Sequence, residues 1–235
     1  MINVKRKAKI GKNLFVEVTY IIASKVKMEH SECGNCEHCI FVETLEPSSV
    51  LHYEIHVTVD YHPDFVSISN YIGVKPIVID LDGKAPIQQM CSHTLINSDD
   101  ITAYETAGHI ADGYKSYGLT ISRVKIETVP WHPLANAPTK EQYFEAHFAV
   151  DPEVVGQDWM VSLAYIWCLR KSSNLMKTGE QTVQMYTFRQ YDTNPHRFQQ
   201  LVNSIKRQIG SSLMKETIVE FALYDSNTSL DKGWI

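Results

Sequence analysis

Tyr53-Glu54-Ile55-His56-Val57-Thr58-Val59-Asp60 returns 91 residues later as Phe144-Glu145-Ala146-His147-Phe148-Ala149-Val150-Asp151. Aromatic, Glu, x, His, x, x, Val, Asp thus occurs twice, each time with the apolar-polar alternation of a strand. Side chains alternate across a strand, so Tyr53, Ile55, Val57 and Val59 share one face, and Glu54, His56, Thr58 and Asp60 the other. Phe144, Ala146, Phe148 and Val150 separate from Glu145, His147, Ala149 and Asp151 in the same way.

Working outward, the segments after each copy follow one plan. In the first half a helix-like stretch at Pro63 to Tyr71 precedes a strand at Pro76 to Leu81, a turn at Asp82-Gly83, and a strand around Gln88 to Met90. Asp99-Asp100 predicts a helix start, Gly118 its end, and Thr120 to Glu127 the next strand. Pro130, Pro133 and Pro138 mark a linker. In the second half the order is a helix near Glu153 to Leu163, a strand at Tyr165 to Arg170, a polar turn at Lys171 to Gly179, and a strand at Val183 to Phe188. A helix at Pro195 to Gln208, with Asn194 as N-cap and Gly210 as its end, leads to the last strand, Thr217 to Leu223. Gln89-Met90 and Gln184-Met185 correspond at an offset of 95.

Both halves read β-α-β-β-α-β, so the expected fold is α+β, an internal duplication of two ferredoxin-like halves. The expected organisation is an N-terminal hairpin extension over 1–50, a first half over 51–130, a Pro-rich linker over 131–142, and a second half with the C-terminal tail over 143–235. The extension is expected to pair Leu14 to Ala23 with Ile40 to Leu45, with the cysteines at its tip.

Helices in such a unit cover the apolar sheet face, leaving the polar set on the open side. Two open sheets related by a pseudo-two-fold would place their polar faces around a shared cleft or tunnel. Arg123, Lys125 and Glu127 alternate onto the same face, Glu220 and Tyr224 correspond in the second half, and Arg189 adds a cation. Histidine exchanges protons near neutrality, while Arg and Lys suit phosphate. His56 and His147 are therefore the expected acid and base, with Glu54 and Glu145 orienting them. Thr58, Arg123, Lys125, Arg189 and Tyr224 are the expected substrate-binding residues. The structural alternative is that Glu54 and Glu145 simply pair with Arg123 or Lys125.

His56-Val57-Thr58 resembles the His-x-Thr motif of the two-histidine (2H) phosphoesterases, a duplicated superfamily with one such motif per half. The resemblance implies a phosphodiesterase-like hydrolase for a nucleotide or short RNA-derived phosphate, with no required cofactor. Ala149 stands where the second hydroxyl would fall. Arg123-x-Lys125-x-Glu127, with Glu54 and Glu145, is also similar to the triphosphate-tunnel (CYTH-like) enzymes, implying a phosphohydrolase that uses Mg or Mn. A transition-metal site of Glu54, His56, Glu145 and His147 is a further arrangement these residue types allow. The rival class is a non-catalytic nucleotide-binding or protein-interaction module. The polar tail, Tyr224 to Ile235, resembles that of bacterial proteins of similar length and implies no activity.

Cys33, Cys36 and Cys39, with His30, have the density of a structural zinc site. Five cysteines, three of them clustered, do not form a secreted disulfide framework, so a cytoplasmic location is expected. Lys5, Arg6, Lys7, Lys9 and Lys12 resemble the start of a signal peptide, but Leu14 to Ala23 carries Glu17 and is too short to span a bilayer. A net charge of −5 excludes a dedicated nucleic-acid coat.

Overall fold

The computed structural model describes residues 2–10, 14–22, 51–81, 87–151, 154, 156–177 and 184–231. Two strands, β1 (Ile2–Ile10) and β2 (Leu14–Ile22), form an antiparallel hairpin whose register places Lys7 opposite Glu17. A hairpin is thus present in the extension, pairing Leu14–Ile22 with the basic N-terminal stretch Ile2–Ile10. The short connection costs less closure entropy than a long one. Ile40 to Leu45 lies outside the described residues.

The first half comprises β3 (Leu51–Val59), α1 (Phe65–Tyr71), β4 (Lys75–Asp80), β5 (Gln88–Ser98), α2 (Asp100–Ser116) and β6 (Ile121–Thr128). The second comprises β7 (Tyr143–Val150), α3 (Gln157–Trp167), β8 (Arg170–Asn174), β9 (Gln184–Gln190), α4 (Pro195–Ile209) and β10 (Ile218–Asp225). Each half is a ferredoxin-like βαββαβ unit. The strands run in the order β10-β6-β3-β5-β4-β8-β9-β7 and close into one barrel. Two antiparallel seams join the halves, β6 with β10 and β4 with β8. The two open sheet faces have therefore become the inside of a barrel. No helix among the described residues is long and apolar enough to cross a membrane.

The helices cover the outer face, where the apolar sets of the two repeated strands lie. Tyr53, Ile55 and Val57 are fully buried there, as are Phe144, Ala146 and Phe148. Phe198 of α4 stacks on Phe144 and Phe188 with ring centroids 5.2 and 5.5 Å away. Such offset aromatic contacts fix how a helix sits on a sheet.

Local chemistry sets the helix ends. Asp99 accepts from Thr102 N at 2.8 Å and Asn194 from Arg197 N at 2.9 Å, each satisfying an otherwise orphaned donor of the first turn. Pro195 follows Asn194 at a position that needs no N–H. Gly118 ends the turn after α2 at φ +82°, a conformation that disfavours any side chain.

The segment Tyr165 to Arg170 differs from expectation. Helix α3 runs on through Trp167, Cys168 caps it in the left-handed region at φ 52°, and the strand begins at Arg170. Met160 and Leu163 are buried at helical spacing, and this packing carries the helix through an apolar run that alone suits either state. Lys171 to Asn174, read as turn, consequently belongs to β8.

Candidate functional site

Strands β3, β6, β7 and β10 turn their polar residues inward onto one cavity of about 320 Å³. Glu54, His56, Lys125, Glu127, Glu145, His147 and Glu220 share this wall. Opposite lies an apolar wall that includes Ile77 and Ile79 of β4, Met90 of β5 and Met185 of β9. The expected gathering of both Glu-x-His pairs on one concave surface is realised.

The side chains form a nearly continuous charged chain. His56 Nδ1 faces the Cys91 carbonyl at 3.1 Å, and His56 Nε2 lies 3.1 Å from Glu127 Oε2. Lys125 Nζ bridges Glu127 at 2.8 Å and Glu145 at 3.0 Å. Arg189 Nε donates to Glu145 Oε1 at 2.7 Å. Beyond Glu145, His147 Nε2 contacts Glu220 at 3.3 Å while its Nδ1 lies 3.0 Å from the Thr187 hydroxyl.

The pseudo-symmetry changes the expected orienting roles. Each histidine is held by the glutamate of its half's last strand, Glu127 at 3.1 Å and Glu220 at 3.3 Å. The glutamates of its own strand stand farther off, Glu54 at 3.7 Å and Glu145 at 3.9 Å. Barrel curvature tips side chains of neighbouring strands toward a common axis, favouring contacts across strands over contacts along one.

A second network, of Arg123, Arg189 and Asp231, also lines the cavity. Arg123 donates to Asp225 and Asp231, and Arg189 Nη2 reaches Asp231 at 2.8 Å. Tyr143 donates to Asp225 at 2.6 Å, and the Arg189 guanidinium lies 4.2 Å from the centre of the Tyr143 ring. Asp231 belongs to a 3₁₀ turn, Thr228–Asp231, that follows β10 and brings this carboxylate to the cavity. Nothing in the local sequence marks this aspartate, because its partners lie at least 42 residues away.

Electrostatics follow from the packing. Burial alone would raise the Glu145 carboxyl, but Arg189 and Lys125 hold it well below the usual range. Glu127 is lowered too, since Lys125 and His56 outweigh its desolvation. Glu220 is raised, by burial and by the charge of Glu127. Burial would depress the His147 imidazolium, yet its hydrogen bond to Glu220 and the charge of Glu145 raise it instead.

Two expected binding residues lie elsewhere. Thr58 is buried beside Arg123 in strand register and does not reach the cavity wall. Tyr224 packs on Tyr104 of α2, ring centroids 5.5 Å apart, because a bulge between Ala222 and Tyr224 shifts the strand's alternation. Asp225 takes the inward place instead. The expected metal set of Glu54, His56, Glu145 and His147 is not the one that converges. Glu127, Glu145 and His147 bring ligand atoms within 4.8 Å of one another, and the Lys125 ammonium already bridges the two carboxylates. Cys33, Cys36, Cys39 and His30 lie outside the described residues. His132 of the linker does not reach the cavity; it bonds Asp100 at 3.0 Å on the outer side of the barrel.

No protein-family profile and no curated protein matches the chain. Among solved structures it is similar to the acetolactate synthase small subunit from Thermotoga maritima, with a TM-score of 0.28 and 10% identity over 74% of this chain and 95% of that one. It is also similar to a putative glycine cleavage system transcriptional repressor, with a TM-score of 0.25 and 11% identity over 74% and 98%.

The expectation of a phosphoester hydrolase is overturned. The cations assigned to phosphate are already committed: Arg123 to Asp225 and Asp231, Lys125 to Glu127 and Glu145, Arg189 to Glu145 and Asp231. Both His56 ring nitrogens are engaged by protein groups, Nδ1 facing the Cys91 carbonyl and Nε2 facing Glu127. The structural alternative holds for Glu145, which pairs with Lys125. Fold and site together define a class: a closed barrel of two ferredoxin-like halves enclosing a charged, half-apolar cavity.

Proposed function

We propose that this chain is a non-catalytic small-molecule-binding module whose ligand is held inside the barrel. The observation that carries this reading is the cavity itself: about 320 Å³, with one charged and one apolar wall. That volume is at the lower end of small-molecule sites, and an apolar wall facing a few fixed polar groups is their usual design. The charged side chains are locked to one another and so serve to orient a ligand rather than to move protons. A nucleotide is a poor occupant, because Glu54, Glu127, Glu145 and Glu220 all line the space its phosphates would enter.

The test is a thermal-shift screen of small acids, bases and neutral compounds against wild type and a cavity-filling Met90→Trp variant. Ligands are expected to raise the melting temperature of wild type only, and to be recovered chemically unchanged. Hits that stabilise both proteins equally, or the absence of any hit, would overturn the reading. So would conversion of a hit to product.

A further inference from the structure

The duplication lets one half-site be compared with the other. In the second half Glu145 is neutralised twice, by Lys125 Nζ at 3.0 Å and Arg189 Nε at 2.7 Å. The equivalent Glu54 accepts from the Ser92 hydroxyl at 2.6 Å and has His56 Nε2 at 3.7 Å. It contacts no lysine or arginine among the described residues. Strand register explains the difference: Arg189 stands opposite Glu145, whereas Thr94 stands opposite Glu54. Likewise Lys125 precedes Glu127 by two positions, where Ile218 precedes Glu220.

The two glutamates also differ in access. The Glu54 side chain is 35% exposed and that of Glu145 only 2%. The buried cations of the inner wall are all committed to carboxylates other than Glu54: Arg123 to Asp225 and Asp231, Lys125 to Glu127 and Glu145, and Arg189 to Glu145 and Asp231. Lys75 and Lys177 also line the cavity but are solvent-exposed, and neither forms an ion pair with Glu54.

We infer that the Glu54 half-site receives the ammonium group of a small amine whose carbon body lies along the apolar wall. This rests on the ligand-binding reading above and names the ligand's class. The geometry is graded in the required direction. Ser92, which holds Glu54, is two residues along β5 from Met90, and Met90 pairs with Ile77 of β4. An ammonium at Glu54 therefore finds an apolar surface within one strand step. A divalent metal is less well served here, because Glu54 offers one carboxylate beside a hydroxyl, and the converging trio of Glu127, Glu145 and His147 already holds Lys125. An amine donates charge-assisted hydrogen bonds to the carboxylate while its carbons replace water on Met90 and Ile77.

The experiment is isothermal titration near neutral pH with benzylamine and butylamine, each against its alcohol and its carboxylic acid. Three proteins are compared: wild type, Glu54→Gln and Thr94→Arg. The last variant installs, opposite Glu54, the guanidinium that already neutralises Glu145. Thr94 is exposed, so the core is left alone, and melting curves check the fold of both variants. Wild type is expected to prefer the amine over its alcohol by roughly ten- to hundredfold, the range of a charge-assisted bond. Both variants should lose that preference, Thr94→Arg with Glu54 still in place. Equal affinity for amine and alcohol, preference for the acid, or amine affinity unchanged in both variants would overturn the inference. If other screening hits still bind wild type but not Met90→Trp, the ligand-binding reading survives that failure. If no compound distinguishes those two proteins, the reading beneath it fails as well.

Discussion

His147 shows how a single side chain reports on this interior. Burial opposes its charge, but Glu220 and Glu145 prevail and raise it above the ordinary value of 6.5. The sign of the linkage follows. A raised folded value means that His147 contributes stability fully below pH 6.5 and loses it as pH rises through the folded value. Glu127 and Glu145 act in the opposite sense. Their values are lowered, so their contribution is present above the ordinary carboxylate range and lost as pH falls through the folded values. We therefore expect an NMR titration of the His147 ring to midpoint above 6.5 in wild type and to move down in Glu220→Gln. An unchanged midpoint in that variant would show that the 3.3 Å contact does not hold the proton. This coupling was only half legible in the sequence: Glu220 was placed on the right face, but its partnership with His147 arises from barrel curvature.

At the scale of elements, short-range chemistry was readable and long-range parity was not. Asn194 and Asp99 declare themselves as caps because the donors they satisfy lie three residues away. Replacing Asn194 by Ala should cost about 1 kcal/mol, the typical value of a lost N-cap. Urea denaturation should show this as a lower midpoint with an unchanged slope, since no buried surface is altered. A cost near zero would mean that Pro195 and the packing of Phe198 hold the helix start unaided. Tyr224 is the contrasting case. Strict alternation puts it inside, yet one extra residue in β10 sends it to Tyr104 of α2 and brings Asp225 to Arg123. A bulge is decided by how two strands fit together, so neither strand reveals it alone. The end of α3 belongs here too, because Met160 and Leu163 commit the run to a helix only once a sheet lies beneath them.

At the scale of the whole molecule the two halves depend on their seams. Among the described residues the β4–β8 seam pairs Ile79 with Asn174 and Asp80 with Ser173, extended by Leu175 N donating to the Val78 carbonyl at 2.8 Å. The β3–β6 pairing runs from Tyr53 to Val59 and carries the core. Native-state hydrogen exchange should therefore be fastest at the seam, with the Leu175 amide opening well before those of β3. A bound amine that spans Glu54 and Ile77 should slow the seam more than the β3 core. Equal protection at both places would show that the barrel opens only by global unfolding.

The repeated aromatic-Glu-x-His-x-x-Val-Asp strand, with the segments that follow each copy, determined the duplication, the βαββαβ order of each half, and the shared polar face of Glu54, His56, Glu145 and His147. Period-two alternation and capping are local, and a single chain segment encodes them. Tertiary structure decided that the two open faces close into one barrel. It also decided that Lys125 and Arg189 neutralise Glu145 while Glu54 meets no lysine or arginine among the described residues, and that Asp231 joins Arg123 and Arg189. Those outcomes depend on which charges meet across strands far apart in sequence. In a buried interior each charge must find a partner, and only the folded geometry says which one it finds.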